Sequence, residues 1–177
     1  MNYSLIKWRD IADGPGIRVS LFVSGCRHHC KGCFNAETWS FGAGKPYTPE
    51  VQASILEGME KRYILGLTLL GGEPFEPENQ PEVLALCRAV REKFPEKTIW
   101  CYSGYTLETD ILAGRLGPKD ITMALLDQLD VLVDGEFHLE EKDPSLRFRG
   151  SRNQRIIDVK KTLETGETVL WDGRKEP

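Results

Sequence analysis

The sequence predicts an α/β fold, an open or partial βα barrel built as one domain. Strand-like apolar runs alternate with stretches of helical periodicity, the pattern of parallel βα units joined by right-handed crossovers. Four strands are clear and two are weaker, too few for a closed eight-stranded barrel of roughly 250 residues. No repeat, linker or low-complexity segment divides the 177 residues, a length that buries a substantial core.

Each element has its own local reason. Asp13-Gly14-Pro15-Gly16 reads as a turn, because glycine permits unusual backbone angles and proline fixes one. Residues 17–24 form the first strand, whose crowded apolar second half suits burial on both faces. Thr48 caps a helix with Pro49 in its first turn; the helix runs to about Lys61 with Val51, Ile55, Leu56 and Met59 on one face. Residues 66–70 are a second buried strand, ending in Gly71-Gly72-Glu73-Pro74. A helix over 81–94 sets Val83, Leu86, Cys87, Val90 and Phe94 at helical spacing. Residues 98–102 form the third strand and lead into Ser103-Gly104. Thr106 is expected to cap a further helical segment, which Gly114 and Gly117-Pro118 interrupt. A short helix over 121–129 precedes the fourth strand, 130–134. Residues 155–159 and 168–171 are the weaker strands.

Composition excludes several classes of function. With 40% hydrophobic and 28% charged residues the chain is ordinary for a globular protein. A net charge of -4 and a pI near 5.5 argue against broad electrostatic capture of nucleic acid. No segment approaches the roughly 20 apolar residues needed to span a bilayer, so no membrane partner is expected. Residues 1–10 lack a secretory pattern. Five cysteines, three of them clustered, fit reduced thiols in a cytoplasmic setting better than a disulfide framework. Cys87 and Cys101 fall on apolar faces and read as core.

Cys26, Cys30 and Cys33 carry the chemistry. They are spaced C-x3-C-x2-C where the first strand ends, the edge at which parallel α/β folds place their sites. Thiolate is the soft ligand that zinc and iron–sulfur clusters require, and four ligands normally close such a site. Three leave one metal position free for a substrate or cofactor. In Gly71-Gly72-Glu73-Pro74, two glycines let a ligand approach the backbone, and carbonyls with a carboxylate suit an ammonium group. A plain strand-to-helix turn has the same sequence. His28 and His29 either complete a mixed zinc site or shape the loop. Asp134 ends a strand, ready for a ribose hydroxyl, a cation or nearby turn amides. Ser103 either lines the site or belongs to a simple turn. Arg147, Arg149, Arg152 and Arg155 make a basic run, either solvated or facing an acidic group.

The cysteine spacing, with a GGE sequence one βα unit later, resembles the radical S-adenosylmethionine (SAM) enzymes. The resemblance implies a partial TIM-like barrel of that type over residues 1–158, with 159–177 as a C-terminal extension. It implies one 4Fe-4S cluster on Cys26, Cys30 and Cys33, whose fourth iron chelates the methionine end of SAM. Asp13-Gly14-Pro15-Gly16-Ile17-Arg18 is similar to the opening of glycyl-radical-enzyme activases. The stretch 21–35, with Val131-Leu132-Val133-Asp134-Gly135 and Arg149-Gly150-Ser151-Arg152-Asn153-Gln154, looks like the activators of anaerobic ribonucleotide reductase. SAM contacts are thereby implied at Gly32, Cys33, Phe34, Gly71, Gly72, Glu73, Ser103 and Asp134. Gly32 stands where most radical SAM proteins carry an aromatic residue, with Phe34 as its substitute. Glu136 stands where some members have lysine, so no SAM contact is assigned to it.

The implied reaction is reductive cleavage of SAM, followed by hydrogen abstraction from a glycine of the reductase large subunit. Lacking a second cysteine group, the chain would draw its electron from a flavodoxin or ferredoxin. Two other readings are a radical SAM enzyme for a small molecule, of the deazapurine-forming kind, and a zinc-binding module that uses a histidine.

Overall fold

The computed structural model describes residues 1–173, and seven strands in it form a single open sheet. In chain order they are β1 (Asn2–Asp10), β2 (Ile17–Val23), β3 (Lys45–Pro46), β4 (Ile64–Gly71), β5 (Thr98–Tyr102), β6 (Val131–Asp134) and β7 (Arg155–Asp158). Across the sheet they run β3-β1-β2-β4-β5-β6-β7. The central four, β2, β4, β5 and β6, are parallel, as the strand–helix alternation requires. The margins differ. β1 joins β2 antiparallel and β7 joins β6 antiparallel, so the expectation of uniformly parallel units is corrected at both ends.

Four helices connect or follow these strands: α1 (Pro49–Met59), α2 (Gln80–Lys93), α3 (Lys119–Gln128) and α4 (Val159–Thr165). Thr48 accepts a hydrogen bond from the Val51 amide and Pro49 opens α1, so the predicted cap is present. The helices cover one sheet face. Val19, Leu21, Val23, Leu67, Leu69, Ile99 and Leu132 point from the strands into a core shared with Ile55, Met59, Val83, Leu86, Val90, Leu125 and Leu126. Cys87 and Cys101 are wholly buried in that core.

The alternate residues of the same strands face the other way. There Trp100, Val131 and Val133 form a second cluster with Tyr102, Phe148, Ile156 and Trp171. Coverage on both faces explains why the central strands read as continuous apolar runs. Arg18 is fully buried on this second face. Its guanidinium donates to the Thr68 hydroxyl at 2.7 Å, the Leu67 carbonyl at 2.9 Å and the Thr98 carbonyl at 3.0 Å, and so spans β2, β4 and β5.

Two local expectations change. Residues 107–112 form a wide π-helical turn, and the Thr106 side chain does not cap it. Instead its hydroxyl donates to Asp110 at 2.7 Å. Residues 168–171 meet β7 through one bridge, Ile157 to Leu170, not a full strand. Residues 174–177 of the expected C-terminal extension lie outside the described residues. Among the described residues no helix is long and apolar enough to cross a membrane.

Candidate metal centre

The site begins where β2 ends. Gly25 turns the chain outward at φ +99°, and a Cβ there would lie 2.3 Å from the Phe41 ring. The Gly25 amide donates to Thr38 at 2.8 Å and the Cys26 amide to Trp39 at 3.0 Å, closing the base of the cysteine loop. From the neighbouring strand, the Gly72 amide reaches Val23 at 2.7 Å and the Glu73 amide reaches Gly25 at 2.8 Å. The two loops are thus joined backbone to backbone. This junction gives the glycines a use beyond ligand access. A Cβ on Gly72 would lie 2.6 Å from the Gly25 carbonyl, and one on Gly71 would lie 2.8 Å from the Phe22 Cα.

Above the junction lies a cavity of about 440 Å³, the size of a small-molecule site. Cys26, Cys30 and Cys33 line it, and all three thiols are free of disulfides. Phe34, Gly71, Gly72, Glu73 and Ser103 share the wall. Two predicted contacts lie elsewhere. Gly32, at φ +74°, sits on the outside of the loop, where a Cβ would approach the tip of Leu139 at 2.9 Å. Asp134 is buried and accepts from the Leu107 amide and the Arg155 Nε, both at 2.9 Å, beside a separate polar hollow.

Glu73 is the electrostatic hub. Its carboxylate accepts from the Phe75 amide at 2.9 Å, the Ser103 hydroxyl at 2.9 Å and the Gly104 amide at 2.7 Å. It is 1% exposed, so three donors are what make a buried carboxylate tolerable. His28 Nε2 lies 3.4 Å from the same carboxylate, and its Nδ1 lies 2.8 Å from Glu136. Burial disfavours charge on His28, yet Glu73 and then Glu136 outweigh it and lift the imidazole to about 9. Burial pushes the Cys26 thiol up to about 12, with Glu73 adding to the rise, and burial raises Cys30 as well. Such thiols surrender their protons to a bound cation far more readily than to water.

Several residues here escaped sequence reasoning. Glu136 lies 108 positions from its partner His28, so no local pattern links them. Lys7 and Asp13 also line the cavity, together with Arg149 of the basic run. Burial, followed by neighbouring Asp10, raises Asp13 to about 7. The basic run divides. Arg152 pairs with Asp143 and Arg155 with Glu108 and Asp134, while Arg149 borders the cavity and donates to the Gln154 carbonyl.

Comparison with known proteins gives this geometry a family. A family model described as a 4Fe-4S single cluster domain matches residues 12–157. The anaerobic ribonucleoside-triphosphate reductase-activating protein of Vibrio cholerae is 45% identical over 159 residues, covering 88% of this chain and 97% of its own. The chain belongs to the family of anaerobic ribonucleoside-triphosphate reductase-activating proteins. The Escherichia coli K12 reductase-activating protein is 41% identical over 156 residues, 87% of this chain and 96% of its own. That of bacteriophage T4 is 41% identical over 157 residues, 88% and 93% of the two chains.

For a reductase-activating protein with a 4Fe-4S domain, the donor set is chemically apt. Three free thiols face one cavity, and soft thiolate is the ligand such clusters take. Among the described residues no three His, Cys, Asp or Glu side chains converge closely enough to hold a single ion.

Proposed function

We propose that this protein activates an anaerobic ribonucleotide reductase by radical SAM chemistry, on a partial TIM-like barrel formed by residues 1–158 with 159–177 as an extension. Cys26, Cys30 and Cys33 would hold the 4Fe-4S cluster, and SAM would take the fourth iron. When bound, the cluster supplies one electron that cleaves SAM, so that the 5'-deoxyadenosyl radical takes hydrogen from a glycine of the reductase large subunit. The observation that carries this reading is the meeting of three free thiols and the Gly71-Gly72-Glu73 loop on one cavity.

The chain's own residues have separate tasks. The Gly71 and Gly72 main chain borders the place for the methionine amine, and Phe34 offers an aromatic face for the adenine. Ser103 and Glu73 are bonded to each other at 2.9 Å and fix the floor of the cavity. Asp134, tied to Arg155, holds the β6 end in place and contributes to SAM binding through that loop. Gly32 gives the turn before Cys33 its left-handed step. Proximity is the main demand on the site, because a primary carbon radical must meet its target before any other group. The electron comes from a flavodoxin or ferredoxin in the cytoplasm.

Electron paramagnetic resonance tests this on an anaerobic mixture of the reconstituted protein, reductant, SAM and the reductase. A glycine-centred signal that appears only with SAM is expected. Reductive SAM cleavage with no such signal on the reductase would overturn the assignment of the partner. No cleavage at all would overturn the radical SAM reading.

A further inference from the structure

We propose that His28 is a positioning residue. It latches the cysteine loop to the ends of β4 and β6 through Glu73 and Glu136, and so presents Cys26 and Cys30 to the cavity. The inference rests on the cluster assignment only for its consequence. The latch itself is a property of the chain.

The imidazole occupies a socket built from three segments. Nδ1 is hydrogen-bonded to Glu136 Oε1 at 2.8 Å beyond β6, and Nε2 lies 3.4 Å from Glu73 Oε2 beyond β4, a close contact without hydrogen-bond geometry. One ring face meets Tyr105 at a centroid distance of 4.3 Å. The floor is Gly104, where any Cβ would sit 2.6 Å from the His28 ring. The His28 side chain is 9% and Glu73 1% exposed, so that contact lies where water screens it little, while Glu136 closes the socket from its half-exposed rim. The Glu73 carboxylate and the Glu136 backbone are themselves held. Gly104 and Ser103 donate to Glu73, and the Glu136 carbonyl accepts from the Asn153 amide nitrogen at 2.8 Å, which fixes the backbone behind it. One imidazole therefore ties the ligand loop to two strand ends that are not adjacent in the sheet. Fixing the middle residue of the spacer restrains the backbone from which Cys26 and Cys30 project.

The test uses full-length protein, metal-free and anaerobically reconstituted, carrying Glu136→Ala, Glu136→Gln, His28→Ala or the His28→Ala/Glu136→Ala pair. Amide exchange over residues 26–31 is read in the metal-free chain. The rate of cluster loss to a chelator and the paramagnetic spectrum of the reduced cluster are read in the loaded one. Loss of a hydrogen bond to a charged group predicts about tenfold faster exchange and cluster loss for Glu136→Ala, with an altered spectrum. Glu136→Gln, which keeps an acceptor, should stay within about twofold of wild type. The double variant should be no worse than His28→Ala, since both remove one latch. Half-exposed Glu136 lies outside the core, so global unfolding of its variants should be unchanged. Wild-type exchange in Glu136→Ala, or additive effects in the pair, would overturn the latch. If the wild-type chain takes up no iron and sulfide, the cluster assignment falls, and amide exchange still decides the latch.

Discussion

The two spacers of the cysteine loop are held in opposite ways. Between Cys26 and Cys30, each of three residues grips a different part of the molecule. The Arg27 amide donates to Glu76 at 2.8 Å while its side chain pairs with Glu76 and Glu78. His28 spans Glu73 and Glu136, and His29 stacks on Trp39 at 4.6 Å. Between Cys30 and Cys33 the chain holds chiefly to itself, through a turn closed by the Cys33 amide on the Cys30 carbonyl at 3.1 Å. The first arm takes its shape from the fold, and the second from its own backbone. A loop that must grip a cofactor on one side and stay open on the other needs both.

The largest expected effect ignores this asymmetry. Replacing any one of Cys26, Cys30 or Cys33 by serine substitutes a hard, weakly acidic hydroxyl for a soft thiolate. It should lower bound iron and sulfide by at least about tenfold. Residual content should be lowest for Cys33→Ser if the Asn35 amide bond to its sulfur, at 3.4 Å, helps orient the ligand. Equal losses at all three positions would remove that distinction.

A paired glycine substitution sharpens the contrast directly. Gly104→Ala drives a Cβ into the His28 ring at 2.6 Å, in a packed site. Urea unfolding should show a loss of about 1–3 kcal/mol, as overpacking does elsewhere. Gly32→Ala meets only the flexible tip of Leu139, and its penalty is the left-handed backbone, about 1–2 kcal/mol. Amide exchange should quicken over 27–29 in the first variant alone. Exchange that quickens equally in both would show the two arms to be one unit.

The smallest effect is a pH dependence of the first arm. The hydrogen bond from Arg27 holds Glu78 below its usual value of 4.5. A depressed carboxylate stabilises the fold above its unfolded pKa, and the contribution fades as pH falls through the folded value. Wild type should exceed Glu78→Gln at neutral pH by no more than about 1 kcal/mol, because the pair is exposed. The two stability curves should converge below pH 4.5. Curves that remain parallel into acid would remove Glu78 from the anchoring of the arm.

The centre of the fold was legible because β2 and β4 are buried on both faces and end in apolar runs, and because their helices carry proper starts, Thr48-Pro49 above all. The margins were not. β1 mixes Lys7, Trp8 and Arg9 with Leu5 and Ile6, since only part of it meets the core, and such a strand lacks the alternation that marks a half-buried one. β7 is four residues long, and nothing in so short a run encodes its direction. At the site, the cysteines and Gly71-Gly72-Glu73 announced themselves because both follow parallel strands and so share an edge. The bonds around Glu73 did not, because Ser103 and Gly104 lie about 30 positions away and only the folded sheet brings them near.

Arg18 sits at the opposite end of those strands from the cavity, and its bonds set an alignment tolerance for everything above it. Sliding β4 or β5 by one residue would shift the strand by about 3.3 Å and turn its side chains to the wrong face. That slip would take the Thr68 hydroxyl and the Thr98 carbonyl away from a guanidinium that has no water to replace them. Mispaired assemblies of the sheet are therefore penalised at its foot, before the loops that form the chemical end have been placed.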